Sequence, residues 1–281
     1  MESELAHYYK LLNKKIMNVK NLEFLKDGLK YMGFGEKLNA ELEKQINQQP
    51  TEFNLTFQGE FKKDGSTDKV DYRLDFKKSD QTDMYFFNRY QATLKNDDPA
   101  QEKAQTFYVT KNSGITAKEA YNLLNGRAVN KDLNNKDGQP FNAWLQLDFA
   151  EKDKNDNFKV KQYHKGYGYE LEAVLNKYPI KELSNDEEKV KLIKSLEKGN
   201  QQPVTFIKEG REEKMFIEAN PQFKALNLYD SKMEKQFQGI EKKETKEPEK
   251  SKEKKETQKQ DVDEEGEGKE KKPRKGKGVG V

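Results

Sequence analysis

The stretch LEKQINQQPTEFNLTF, residues Leu42–Phe57, contains a helix end, a Gln-Gln-Pro breaker and the start of a strand. Its apolar residues are one helical turn apart before Pro50 and alternate with polar residues after it, so the hydrophobic period changes at this proline. A second stretch, LEKGNQQPVTFIKEG at Leu196–Gly210, has the same order of features. The chain is therefore predicted to use one unit of helix, breaker and hairpin more than once.

A third, weaker copy of this unit lies between the other two. The three predicted units cover residues 36–95, 116–164 and 185–229, and the middle one shares only Gly126 and the Asp137–Gly138 turn with its neighbours. Chance recurrence of common turn chemistry is the alternative explanation. A helix on a small meander buries little apolar surface, so such units have to pack on one another or share sheets.

Local signals place the ends of several elements. Gly33 and Gly35 end the first helix, and Thr116–Glu119 and Ser184–Glu187 have the spacing of capping boxes that begin later helices. Alternating apolar residues predict strands, including Phe141–Phe149 and Phe158–His164. In the helix that follows Ser184, we expect the core-facing residues to be Val190, Ile193 and Leu196.

These signals predict an α+β fold of antiparallel β meanders backed by helices, in two or three related helix-hairpin units. The expected segments are an N-terminal helical segment at 1–48, a first β meander at 49–112, a central helix-plus-β unit at 113–183, a C-terminal helix-plus-hairpin unit at 184–237, and a tail at 238–281.

The tail has a composition typical of disorder. From Glu241 onward it contains 14 Lys and Arg and 12 Asp and Glu, with three valines as its only apolar side chains. Such a segment buries too little surface to offset its conformational entropy. Its end is rich in basic residues that are typical of polyanion binding, among them Lys271, Lys272, Arg274 and Lys275. A solubilising tether is the alternative.

The composition argues against common catalysis. The chain has no cysteine and only two histidines, His7 and His164, and it contains no phosphate loop, dinucleotide fingerprint or EF-hand spacing. We therefore predict no catalytic residues, no metal and no cofactor. Without an apolar run of membrane-spanning length or a signal peptide, the expected location is the cytoplasm, with no membrane partner.

One predicted strand places a tryptophan among polar residues. In Phe141–Phe149 the odd positions are apolar, so Trp144 falls on the polar face. The next strand adds cations and a further ring to this face: Lys159, Lys161, Tyr163 and, beyond the strand, Lys165. Rings mixed with cations on a sheet suit stacking on single-stranded bases. Packing of the same rings under a helix is the alternative, and both remain open for Trp144.

A similar face occurs in the first unit. Period-two alternation puts Tyr85, Phe87 and Arg89 opposite Met84, Phe86 and Tyr90. For Tyr85 and Phe87 we favour packing in the core over base stacking.

Several longer segments resemble a known family. YFFNRYQATL, GITAKEAYNLLNGRAVNKDL, FNAWLQLDF, KQYHKGYGYELEAVLNKYPIKEL and MFIEANPQFKALNLYD are similar to segments of domain-of-unknown-function family 3945 (DUF3945), carried on conjugative and integrative elements of Bacteroidetes. The resemblance covers residues 80–230. It implies a cytosolic protein of a mobile DNA element, and it transfers no catalytic role to any residue.

The leading hypothesis is therefore a non-enzymatic accessory protein of a mobile genetic element. Its expected partner is DNA, RNA, or a nucleoprotein or DNA-processing protein of the same element, bound through the Trp144 face and the basic end of the tail. The alternative is a protein-interaction scaffold, or an inhibitor of a host defence or DNA-processing enzyme. An enzyme built from dispersed carboxylates is a third possibility, which would need converging, pKa-shifted acids in a pocket.

Overall fold

The computed structural model describes residues 19–63, 66–110 and 114–236, all within one compact unit of the chain, Met1–Lys243. The predicted tail from 238 onward lies outside the described residues. So do the first part of the predicted N-terminal helix and the four tail residues Lys271, Lys272, Arg274 and Lys275.

The described residues form five α-helices and eleven β-strands, which confirms the α+β class. The helices are α1 at 19–31, α2 at Asn39–Gln48, α3 at Ala117–Leu124, α4 at Leu171–Leu175 and α5 at Asp186–Glu197. The strands are β1 Glu52–Lys63, β2 Ser66–Lys78, β3 Tyr85–Leu94, β4 Lys103–Tyr108, β5 Val129–Asn134, β6 Pro140–Lys152, β7 Phe158–His164, β8 Gln202–Lys208, β9 Arg211–Asn220, β10 Ala225–Tyr229 and β11 Lys235–Gln236.

All strand pairs in the three sheets are antiparallel, and each sheet is a meander in chain order. The first sheet has the order β1-β2-β3-β4, the middle sheet β5-β6-β7, and the third sheet β8-β9-β10-β11. A helix precedes each meander: α2, α3 and α5 respectively. That the three units are copies of one another stays a prediction.

The quoted stretch behaves as its pattern predicts. Leu42 and Ile46 are the buried residues of α2, which ends at Gln49 in a left-handed conformation (φ 55°). In the second stretch Gly199 has φ +76°, and an added Cβ there would lie 2.8 Å from the Ala128 carbonyl oxygen. Glycine is therefore required at the end of α5, because any side chain would meet backbone.

The first core lies between the helices and two sheets. One face of the first sheet packs on α1, α2 and α3, and one face of the middle sheet closes the same core from the other side. Phe34, in the turn after α1, meets the rings of Tyr72 and Tyr90 edge-on at 5.4 and 5.3 Å. Other fully buried members are Leu29, Leu42, Leu74, Leu123 and Leu124.

A second core lies on the other face of the middle sheet. It contains residues of α4, α5 and the third sheet, together with Trp144 of β6. Adjacent residues of β6 therefore serve different cores: Ala143 and Leu145 belong to the first, and Trp144 belongs to the second. The middle sheet is covered on both faces at this point.

Two helix-start predictions have different outcomes. The capping box at Thr116 and Glu119 is present in both directions, with the Thr116 amide donating to the Glu119 carboxylate at 2.8 Å. The predicted cap at Ser184 is wrong by one residue, because the side chain of Asn185 accepts from the Glu187 and Glu188 amides instead. The buried residues of this helix are Leu192 and Leu196, which confirms the prediction for Leu196.

Two other predicted core positions of α5 are corrected, because the buried stripe of the helix follows Leu192 and Leu196. Val190, expected in the core, is 48% exposed. Ile193 is only partly buried.

A β-bulge changes which face part of β3 presents. Phe76 of β2 pairs with Phe87, but Asp75 pairs with Arg89, so Asn88 is an extra residue. Tyr85 and Phe87 therefore pack in the core as favoured, while Arg89 lies on the outer face. Phe86, expected to share a face with Tyr90, is 44% exposed, which corrects that alternation.

Candidate nucleic-acid interface

The register of the middle sheet confirms that the predicted residues share one face. Trp144 lies opposite Tyr163, and the next pairs along the same face are Gln146 with Lys161 and Asp148 with Lys159. Side chains directly opposite each other in an antiparallel pair point to the same side. Trp144, Lys159, Lys161 and Tyr163 therefore lie in one row, as period-two alternation predicts.

This row is not free along its whole length. Trp144 is only 6% exposed and meets the ring of Tyr169 edge-on at 5.4 Å, inside the second core. Of the two alternatives left open for Trp144, packing inside a core is the one observed, because residues after the middle sheet fold back over this face. The ring has no open side on which a base could stack.

The polar neighbours of Trp144 have their own partners. The side chain of Asn142 donates to the Asn130 side-chain oxygen at 2.8 Å, and that of Gln146 donates to the carbonyl oxygen of Gly126 at 2.8 Å. These hydrogen bonds satisfy the amide NH₂ groups of both side chains, whereas the buried side-chain oxygen of Gln146 has no hydrogen-bond partner among the described residues.

The two predicted lysines are exposed but paired with acids. Lys161 lies 2.7 Å from the Asp148 carboxylate, and Lys159 lies 2.5 Å from Glu151. The hydrogen bond with Lys161 lowers the pKa of Asp148, and the same bond raises the pKa of Lys161. Each lysine therefore has its charge balanced by a neighbour on the same surface.

Beyond the end of β7 the surface carries aromatic rings together with lysines. Tyr163 and Tyr167 have ring centroids 5.0 Å apart, and the Lys224 ammonium lies 4.8 Å from the Tyr167 centroid. Lys165 begins the short turn that Tyr167 ends, and Phe223 directly precedes Lys224. We refer to Tyr163, Lys165, Tyr167, Phe223 and Lys224 as the lysine–aromatic cluster.

Two short 3-10 turns hold this cluster. The first spans Lys165–Tyr167 and ends at Gly168 (φ 78°), and the second spans Pro221–Phe223 and ends at Lys224 (φ 49°). The Tyr167 hydroxyl donates to the carbonyl oxygen of Gln222 at 2.7 Å, which fastens the first turn to the second.

The second turn leaves its aromatic side chain in solvent. The Asn220 side chain accepts from the Phe223 amide at 3.4 Å, so it satisfies one free backbone donor of the turn. The Phe223 side chain is 71% exposed, and that of Tyr167 is 40% exposed. Both rings are therefore exposed, and the Lys224 ammonium lies over that of Tyr167.

The lysines of the cluster differ from Lys159 and Lys161. Within the part of the chain that the structure describes, neither Lys165 nor Lys224 has a carboxylate within 4.0 Å. Both side chains are exposed. Their positive charge is consequently available to an anionic ligand.

Sequence reasoning found part of this cluster and missed the rest. Tyr163 and Lys165 were predicted, whereas Phe223 and Lys224 were not singled out. These two residues directly precede β10, which begins at Ala225. The Asn220-Pro221 dipeptide is a turn signal that could have drawn attention to them.

Two other kinds of feature are absent from the described residues. Among the described residues, no group of three or more His, Asp or Glu side chains could hold a metal ion. No helix in residues 19–63, 66–110 and 114–236 is long and apolar enough to cross a membrane.

Comparison with known proteins gave no match: no family model, no curated protein and no solved structure is similar to the chain. The resemblance to DUF3945 therefore stays a prediction.

Proposed function

We propose that the protein binds single-stranded nucleic acid through the lysine–aromatic cluster, as a non-enzymatic accessory protein of a mobile genetic element. The observation that carries the binding proposal is the Lys224 ammonium over the exposed Tyr167 ring, in two joined turns that also carry the exposed Phe223 and Lys165. The mobile-element context rests on the resemblance alone.

The chemistry of the cluster fits this ligand. Base stacking on an exposed aromatic ring is worth about 1–3 kcal/mol per base and tolerates any base. Lysines beside the rings bind phosphates as point charges and release counterions. Bases within a duplex are already stacked on each other, so the rings favour single strands.

Binding is tested by fluorescence anisotropy with a labelled single-stranded oligonucleotide and the matching duplex. We expect tighter binding to the single strand and a loss of affinity between about 50 mM and about 200 mM salt, because phosphate contacts release counterions. Equal, salt-independent affinity for both forms, or no binding, would contradict the proposal.

Charge-matched variants locate the site. Lys165→Glu and Lys224→Glu should each weaken binding, whereas Lys159→Glu and Lys161→Glu change the net charge equally but replace a lysine that already has an acidic neighbour. A larger loss in the second pair than in the first would assign binding to the Lys159 and Lys161 surface instead.

The basic end of the tail is tested in the full-length chain. Replacing Lys271, Lys272, Arg274 and Lys275 with glutamine removes four positive charges. If the tail contributes phosphate contacts, the salt dependence of binding should become less steep, while the preference for single strands stays. An unchanged salt dependence would exclude the tail from the binding surface.

A further inference from the structure

β1 is an edge strand of the first sheet, and it is long and regular. It spans Glu52–Lys63 and pairs only with β2 among the described strands, without a bulge. A long, straight edge presents unpaired backbone groups, and natural proteins usually shorten, bend or cover such edges. The form of this edge is therefore an argument that another strand pairs with it.

The direction of the backbone groups of β1 follows from one hydrogen bond. The Lys78 amide donates to the Thr51 carbonyl oxygen at 2.8 Å, so residues 51 and 78 form a hydrogen-bonded pair. Such pairs recur at every second residue of an antiparallel ladder. The odd residues of β1 therefore bond to β2, and the even residues direct their N–H and C=O groups away from the sheet.

These outward groups belong to exposed residues. They are Glu52, Asn54, Thr56, Gln58, Glu60 and Lys62, and each is exposed to solvent. In the part of the chain that the structure describes, no backbone group bonds to them from outside the β1-β2 ladder.

The other face of β1 carries an incompletely covered aromatic row. Phe53, Phe57 and Phe61 point to the first core but are only partly buried, since they lie at the margin of the sheet. A further strand beside β1 would cover their exposed halves. The partner strand should therefore be apolar on this face.

β1 is complementary to itself in one antiparallel register. With Phe57 opposite Phe57 of a second copy, Phe53 lies opposite Phe61, and Glu52 lies opposite Lys62 at both ends of the interface. The even residues then face even residues, as hydrogen bonding requires. No like charges are opposed.

Neighbouring registers lack this match. Sliding one copy by two residues in one direction puts Glu52 opposite Glu60, and sliding it in the other direction puts Phe53 opposite Lys63. Like charges directly opposite each other destabilise a strand pair, and a charge breaks the aromatic row.

We propose that two copies of the chain associate through antiparallel pairing of β1 about a two-fold axis at Phe57. The two four-stranded sheets then form one continuous sheet. This interface goes beyond the proposed binding of nucleic acid and is remote in sequence from the lysine–aromatic cluster.

Cysteine cross-linking tests the register, because the natural chain contains no cysteine. In this register Thr56 is opposite Gln58 of the other copy, with Cα atoms about 5.5 Å apart, which is within the range for a disulfide. A mixture of full-length Thr56→Cys and Gln58→Cys should form a mixed disulfide dimer under mild oxidation. Both positions are exposed, so neither change disturbs the core.

Each cysteine variant alone is the matched control. Two copies of Thr56→Cys would have their cysteines in a diagonal relation, with the residues about 7–8 Å apart instead of directly opposite, so cross-linking should be much slower. Equal cross-linking in the mixture and in the single variants, or none in the mixture, would overturn this register.

Sedimentation velocity over a concentration series tests association itself. We expect the natural chain to approach twice its mass of 32.8 kDa as its concentration rises. Lys62→Glu should weaken the dimer roughly tenfold, because it replaces two attractions with two repulsions. Adding Glu52→Lys to that variant should restore the affinity.

Lys136→Glu, in the β5-β6 turn, makes the same charge change away from β1 and should leave the dimer unchanged. A natural chain that is monomeric at every concentration, or a double variant that stays as weak as Lys62→Glu, would overturn the proposal.

Discussion

Trp144 provides the sharpest test of the packing described above. Its side chain is 6% exposed and lies in the second core against Tyr169. An aromatic side chain of this size buries on the order of 200 Å². At about 25 cal/mol per Å², its removal loses about 5 kcal/mol of transfer free energy, an upper value because unfolded chains are partly compact.

We therefore expect Trp144→Ala to lower the free energy of unfolding by about 4 kcal/mol, in line with other truncations of buried aromatic residues. Trp144→Phe keeps a ring in the same place and should lower the free energy of unfolding by less than Trp144→Ala does. Urea unfolding followed by far-UV circular dichroism measures both, since the chain has a single tryptophan and both variants lack the indole fluorophore.

Phe223→Ala is the matched control. This side chain is also aromatic but is 71% exposed, so the free energy of unfolding should change by less than about 0.5 kcal/mol. Nucleic-acid affinity should show the opposite pattern, with a loss in Phe223→Ala. If Trp144→Ala unfolds like the natural protein and loses affinity instead, the indole is accessible and the packing argument is refuted.

Three further predictions concern stability and are measured by thermal or urea unfolding. Glu218→Ala should lower the free energy of unfolding by about 3 kcal/mol or more, because Arg127, 3.8 Å away and 10% exposed, then has a buried charge without its acid. Combining Glu218→Ala with Arg127→Met should recover part of this loss. Thr116→Ala removes the capping side chain of α3 and should lower the free energy of unfolding by about 1 kcal/mol. An unchanged free energy of unfolding would mean that the cap is dispensable. Gly199→Ala should lower the free energy of unfolding clearly more than Gly210→Ala does. Both glycines have positive φ, but only at Gly199 does backbone lie within 3.0 Å of the added Cβ. Equal losses would contradict the close packing at Gly199.

Much of the fold was predictable because it depends on local rules. The change of period at Pro50 marks the passage from α2 to β1, and the strand predicted at Phe158–His164 is β7. The Thr116 capping box also forms as its spacing indicates. Each of these features depends on residues close together in sequence, so single-chain patterns are sufficient to find them.

The bulge in β3 was not predictable in this way. One extra residue, Asn88, reverses the alternation between Phe87 and Arg89. The sequence around it has no glycine or proline that would signal an interruption. The bulge is determined by the pairing of β3 with β2, which a period-two count does not include.

The candidate site also has one part that the local sequence predicts and another that only the tertiary structure decides. The sequence by itself determined that Trp144, Lys159, Lys161 and Tyr163 share one face, because side chains alternate along a strand. Only the tertiary structure decided which part of that face is covered, since the covering residues come from α4, α5 and the third sheet. It also brought Phe223 and Lys224 beside Tyr167 across more than fifty residues of chain, through the hydrogen bond from Tyr167 to Gln222. Contacts between segments so distant in sequence depend on how the sheets pack, and no local pattern records that packing.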